Sequence, residues 1–122
     1  MTNSRNSDNP EAPLPKIKIL VVDDDQIDHL AFKRAVQELN LPYDCTIASS
    51  LNEAKQILQE QTFEVAILDY NLGDGSSCEL FPILKSQNCP FIISTGSGDE
   101  ETAARVMGEG AYDYLIKDPE RN

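Results

Sequence analysis

Three consecutive carboxylates, Asp23, Asp24 and Asp25, directly follow the apolar run Ile17-Lys18-Ile19-Leu20-Val21-Val22. Like charges this close repel, and the end of a buried strand offers little water to screen them. Such a cluster persists cheaply only where a cation or a hydrogen-bond network compensates it. A second apolar run, Val65-Ala66-Ile67-Leu68, leads straight into Asp69. Two strands that each end in carboxylate point to one acidic pocket at one edge of a sheet. Thr95 ends the run Phe91-Ile92-Ile93-Ser94-Thr95, and Lys117 follows Ala111–Ile116. Asp23, Asp69, Thr95 and Lys117 therefore all fall where a strand finishes.

The elements that must position them alternate along the chain. Lys16–Val22 reads as a strand. Gln26–Leu39 then places Ile27, Leu30, Ala31, Ala35, Val36 and Leu39 at helical spacing. Asn40-Leu41-Pro42 stops that helix, with Asn suited to a left-handed cap and Pro unable to continue. Tyr43–Ala48 is a shorter strand, and Ser50 with Glu53 forms a capping box that opens a helix to about Glu60. Val65–Asp69 is the third strand and Gly73-Asp74-Gly75 a turn. Ser76 with Glu79 repeats the capping pattern before a helix to about Gln87, which Pro82 should kink or shorten. After the fourth strand and Gly96-Ser97-Gly98, Asp99 or Glu100 opens a helix through Met107, ended near Gly110. The fifth strand follows. This alternation of Val- and Ile-rich strands with helices predicts a parallel sheet covered on both faces. In such folds ligands sit outside the carboxyl ends of the strands.

Bulk properties narrow the function. One domain of 122 residues, 40% hydrophobic and 25% charged, holds a real core. The net charge of −11 argues against direct nucleic-acid or anionic-membrane binding by this segment. No apolar stretch approaches the roughly 18 residues of a membrane span. Cys45, Cys78 and Cys89 are widely spaced and odd in number, which fits reduced thiols used as small apolar residues in a cytoplasmic protein. Residues 1–15, rich in Asn, Ser and Pro, read as a disordered tail. Asp118-Pro119-Glu120 has the form of a helix start, yet the sequence stops at Asn122. A fifth helix is therefore expected in a longer parent, or its place is taken by a neighbouring chain.

Four stretches together resemble the receiver domain of two-component response regulators. They are Ile19-Leu20-Val21-Val22-Asp23-Asp24-Asp25, Val65-Ala66-Ile67-Leu68-Asp69-Tyr70-Asn71-Leu72, Ile92-Ile93-Ser94-Thr95-Gly96 and Gly110-Ala111-Tyr112-Asp113-Tyr114-Leu115-Ile116-Lys117. The resemblance implies a flavodoxin-like, doubly wound five-stranded parallel sheet in the order 2-1-3-4-5. Residues 16–122 would form this receiver domain, cut before or within the fifth helix. It further implies that Asp69 accepts a phosphoryl group from a histidine kinase or phosphotransfer protein. Asp24, Asp69 and the backbone carbonyl of Asn71 would bind Mg2+, with Asp23 acting through water. Thr95 and Lys117 would hold phosphoryl oxygens, and Tyr114 would be the switch aromatic at the surface of the fourth helix and fifth strand. That surface would meet an output domain or partner, and dimerisation stays open. The fold would not be a conventional turnover enzyme. Asn71 and Ser97 stand at positions that modulate water access to the phosphoryl group. Asp25 is expected to cap the first helix.

The chain departs from the family's pattern in two places. Leu72-Gly73 replaces the usual Met-Pro after the phosphoacceptor, which predicts a shorter and more flexible loop. Asp118 replaces the frequent Pro after the lysine. Taken singly, each residue has a plainer reading: Lys117 as a surface lysine, Thr95 as a turn cap, Tyr114 as a core aromatic, His29 as an exposed helix residue. Two other functions compete. An aspartate-nucleophile phosphatase would need a second acid where Asn71 stands. A phosphorylation-independent pseudo-receiver would not need the full set of Asp23, Asp24, Asp69, Thr95 and Lys117.

Overall fold

A computed structural model describes residues 16–96 and 100–116, with the side chains of residues 26–28 excepted. The tail over residues 1–15, Ser97, Lys117 and the start of a fifth helix lie outside the described residues. The strands β1 (Ile17–Val22), β2 (Tyr43–Ala48), β3 (Val65–Asp69), β6 (Phe91–Thr95) and β7 (Asp113–Ile116) form one sheet in the order β2-β1-β3-β6-β7. All four pairings are parallel. Counted within this sheet alone, the order is the expected 2-1-3-4-5. Between β3 and β6 lies a separate antiparallel hairpin, β4 (Asn71–Leu72) and β5 (Gly75–Ser76).

One sheet face carries the main core. Leu20, Val22, Ala66, Leu68 and Ile93 from alternate strand positions meet Leu51, Ala54 and Leu58 of α2 (Leu51–Glu60). Phe81 and Leu84 of α3 (Phe81–Ser86) and Val106 of α4 (Glu100–Gly108) complete it. Period-two alternation sends Val21, Ile67 and Ser94 to the other face, where Phe32 of α1 (Gln26–Glu38) joins them around a cavity of about 130 Å³.

Helix α1 buries a different stripe from the one its apolar spacing suggests. His29 is buried, and Phe32 and Val36 are half-buried, whereas Leu30 is 63% and Leu39 68% exposed. Positions 29, 32 and 36 lie on one side of a 3.6-residue helix, so a histidine takes the place expected of leucine. His29 is thus not the exposed residue foreseen, because its ring nitrogen bonds the backbone carbonyl of Asp23.

Caps set most helix boundaries as the sequence predicts. Asn40 adopts φ 52° after α1. The Ser50 hydroxyl accepts from the Glu53 N–H at 3.1 Å, while the Glu53 carboxylate accepts from the Ser49 N–H at 2.7 Å. Pro82 does shorten the third helix. A 3-10 turn over Ser77–Leu80 precedes α3, and Pro82 occupies the first turn, where no N–H is required.

Candidate functional site

Parallel pairing brings Asp23, Asp69 and Thr95 to one edge. Val22 stands opposite Leu68, so Asp23 leaves β1 beside Asp69 at the end of β3. Asp69 in turn pairs with Ser94, one residue before Thr95. Carboxylate oxygens of Asp23, Asp24 and Asp69 all lie within 4.8 Å of one another. Asp23 is buried, Asp69 half-buried and Asp24 exposed, so the cluster opens outward at Asp24. Thr95 is buried at the same edge. Asp25 is not among the three clustered acids.

The backbone around the acids is pinned. The Asp23 N–H donates to the Ala48 carbonyl at 3.0 Å, which extends the β1–β2 ladder one residue past the strand. The Asp23 carboxylate accepts from the Asp25 N–H at 2.9 Å, and the Asp25 carbonyl accepts from the His29 N–H as α1 begins. Asp25 therefore stands at the helix start, as expected, while Asp23 ties the turn together.

The segment after Asp69 is more ordered than its glycines suggest. Asn71 pairs with Ser76 and Leu72 with Gly75, so the foreseen flexible loop is a tight hairpin. Asp74, at its tip, accepts from the N–H groups of Leu51 at 2.8 Å and Asn52 at 3.0 Å. These are the first two orphan donors of α2, and the Ser50 hydroxyl takes the third. The two backbone bonds hold the Asp74 carboxyl below the usual carboxylate range. Gly75 has φ 150°, and a Cβ there would meet Leu51 Cδ2 at 2.9 Å. Only glycine fits that close approach to α2. The sequence signal was present in Gly73-Asp74-Gly75, but its partner lies more than twenty residues upstream.

One further contact escaped sequence reasoning. Arg105 of α4 donates to the hydroxyl of Tyr70, the residue after Asp69, and its guanidinium lies 5.8 Å from that ring's centroid. Tyr114 packs against the core, with its hydroxyl buried and without a hydrogen-bond partner among the described residues. The cysteines are free thiols, as foreseen. Burial pushes the Cys89 thiol up, with Glu64 adding to it, and burial and Asp44 do the same for Cys45.

A sequence model described as the response regulator receiver domain matches residues 19–122. This chain belongs to the receiver domain family of response regulators. It is 33% identical over 103 residues to the transcriptional regulatory protein ZraR of Escherichia coli K12, an alignment covering 83% of this chain and 23% of that protein. The chain thus spans about a quarter of that relative's length. A response regulator from Burkholderia pseudomallei, solved with a phosphorylated aspartic acid, calcium ion and citrate, superposes with a TM-score of 0.74 at 25% identity. That match covers 84% of this chain and 60% of the other. The beryllofluoride-activated NtrC4 receiver domain dimer gives a TM-score of 0.72 at 30% identity, over 85% of this chain and 88% of its own. Within this receiver domain the acidic cluster suits a small hard cation, because three carboxylate oxygens this close can share one coordination sphere. No described helix is long and apolar enough to cross a membrane.

Proposed function

We propose that this receiver domain takes a phosphoryl group from a histidine kinase or phosphotransfer protein onto Asp69 and passes the change to an output domain or partner. The observation that carries this reading is the trio of Asp23, Asp24 and Asp69 oxygens within 4.8 Å at the carboxyl edge of the sheet. One Asp69 oxygen attacks phosphorus. The O–P bond forms as the donor's N–P bond breaks, and the leaving imidazole nitrogen regains a proton. Asp24, Asp69 and the Asn71 carbonyl would hold Mg2+, and Asp23 would act through water. When bound, Mg2+ offsets the carboxylate repulsion and the charge on the phosphoryl oxygens.

The Lys117 ammonium pairs with one phosphoryl oxygen and the Thr95 hydroxyl donates to another. These roles are positioning and charge stabilisation, not covalent work. Asn71 and Ser97 govern how water reaches the acyl phosphate. Tyr114 reports the change at the surface of α4 and β7, where an output domain, a partner or a second copy docks. The cytoplasm, where histidine kinases hold their phosphoryl group, is the compartment this reading requires.

Incubation with phosphoramidate and Mg2+ followed by intact mass measurement tests it. A transient adduct of about 80 Da, the mass of one phosphoryl group, is expected and should vanish in Asp69→Asn. Steady release of phosphate without an adduct would instead mark a phosphatase. An adduct that persists in Asp69→Asn refutes the assignment of the acceptor.

A further inference from the structure

The hairpin of β4 and β5 meets the acidic pocket on one side and α2 on the other. Its base closes directly after Asp69, where the Ser77 N–H donates to the Tyr70 carbonyl at 3.0 Å. Asn71 heads the first strand and pairs with Ser76. At the turn, a Cβ on Gly73 would stand 3.6 Å from Asp24 Oδ2, so this backbone lies against the exposed member of the acidic trio. The next residue reaches the other way. The two carboxylate oxygens of Asp74 accept separately from the Leu51 N–H at 2.8 Å and the Asn52 N–H at 3.0 Å. One turn thus joins the pocket to the start of α2.

A hairpin of two residue pairs is marginal by itself in water, and a glycine on each side of Asp74 leaves the tip free to move. Leu72, buried in the core, anchors the first strand. Asp74 fixes the tip. A carboxylate suits that task because two N–H donors need two acceptors. Asparagine offers one oxygen and would set an NH2 against the second donor.

We propose that Asp74 is a positioning residue for the metal pocket: clamped on α2, it holds the hairpin that carries Asn71, with Gly73 against Asp24, in place before an ion arrives, and so raises the affinity for Mg2+. This deepens the receiver reading and rests on its assignment of the ion to the acidic trio. Mg2+ demands near-ideal octahedral geometry and tolerates little displacement of its ligands. A ligand segment ordered in advance spares the cost of ordering it on binding. Asp74 supplies that order from outside the clustered acids, without coordinating the ion.

Mg2+ titration followed through backbone amide resonances at neutral pH tests this. Asp74 is exposed, so Asp74→Asn leaves the core intact. It should weaken Mg2+ binding about tenfold, the lower end of the range for groups that orient metal ligands. Glu53→Ala is the control. It removes one charge and one capping bond, from the Ser49 N–H at 2.7 Å, at the same end of α2, yet leaves the hairpin untouched. Its Mg2+ affinity should match that of the unsubstituted protein. In EDTA, the Asn71 and Asp24 amide resonances should already move in Asp74→Asn and stay in place in Glu53→Ala. Repeating the titrations at about 1 M KCl, where the screening length is about 3 Å, removes any through-space effect of the lost carboxylate. The deficit of Asp74→Asn should persist there. Unchanged affinity in Asp74→Asn overturns the clamp, as do unmoved resonances in EDTA, an equal deficit in Glu53→Ala, or a deficit that salt abolishes. These outcomes refute the positioning role alone. An unsubstituted protein that binds no Mg2+ refutes the receiver reading of the pocket, and the positioning role falls with it.

Discussion

Replacing Asp24 with asparagine should stabilise the metal-free protein and abolish its response to Mg2+. Asp24 contributes two of the three pairwise repulsions in a cluster whose oxygens lie within 4.8 Å. At that separation a pair of unit charges repels by about 0.9 kcal/mol in bulk water and about 3.5 kcal/mol at an effective dielectric of 20. Asp24 is exposed, so the lower figure governs. Removing two such pairs should raise stability by roughly 2 kcal/mol at low salt, less as salt screens the charges. Asparagine keeps the shape and leaves no cavity. The assay is urea unfolding of both proteins in EDTA and again in excess Mg2+. At a hundredfold excess over its Kd, a ligand bound only by the folded state adds about 2.7 kcal/mol. The unsubstituted protein should gain close to that amount and Asp24→Asn almost nothing, so their order reverses between the two buffers. A variant that is less stable in EDTA, or that gains as much from Mg2+, refutes the electrostatic account of the cluster.

Asp25→Ala should leave Mg2+ affinity nearly unchanged in the same titration, because Asp25 lies outside the clustered trio; equal losses for Asp24 and Asp25 would undo that division. Gly75→Ala should cost about 2–4 kcal/mol in urea unfolding, from backbone strain at φ 150° and overpacking against Leu51. Gly73→Ala, whose Cβ would sit at an ordinary 3.6 Å from Asp24, serves as the tolerated neighbour. Asp74→Asn should lower the melting temperature at neutral pH. The folded-state carboxyl of Asp74 titrates below its unfolded value of about 3.9. Its contribution is therefore fully present above that value and lost as pH falls through the folded one. The melting difference between Asp74→Asn and its parent should close in acid, and a difference independent of pH counts against the two backbone bonds.

The large sheet was legible because each of its strands is a local pattern: an apolar run with a polar residue or a glycine turn at its end. That pattern pointed to one acidic pocket at the strand ends, and the strand order that brings Val22 beside Leu68 was implied by the family resemblance. What stayed hidden depends on partners distant in sequence. Nothing near Asp74 announces that its carboxylate will cap α2, and nothing near Tyr70 announces Arg105. The hairpin of β4 and β5 was missed because two-residue strands carry no periodicity. His29 was misread for a different reason. Helical spacing marks which leucines could be buried, but the acidic turn before α1 supplied a carbonyl that made histidine the better inward residue.

The sheet ends in two strands whose outer sides pair with no other described strand, and they are not equally guarded. Edge strand β2 carries an exposed Asp44 as its second residue, a charge that a second copy would have to bury in order to pair there. At the opposite edge β7 opens with exposed Asp113 and then presents Leu115 at 50% and Ile116 at 57% exposure. Strand addition, whether by a foreign peptide or by another copy, therefore has a preferred side. At neutral pH the net charge of −11 keeps copies apart. Acidification removes that repulsion while Leu115 and Ile116 stay exposed, so precipitation on mild acid treatment should begin along β7, with colloidal behaviour set by one edge of a five-stranded sheet.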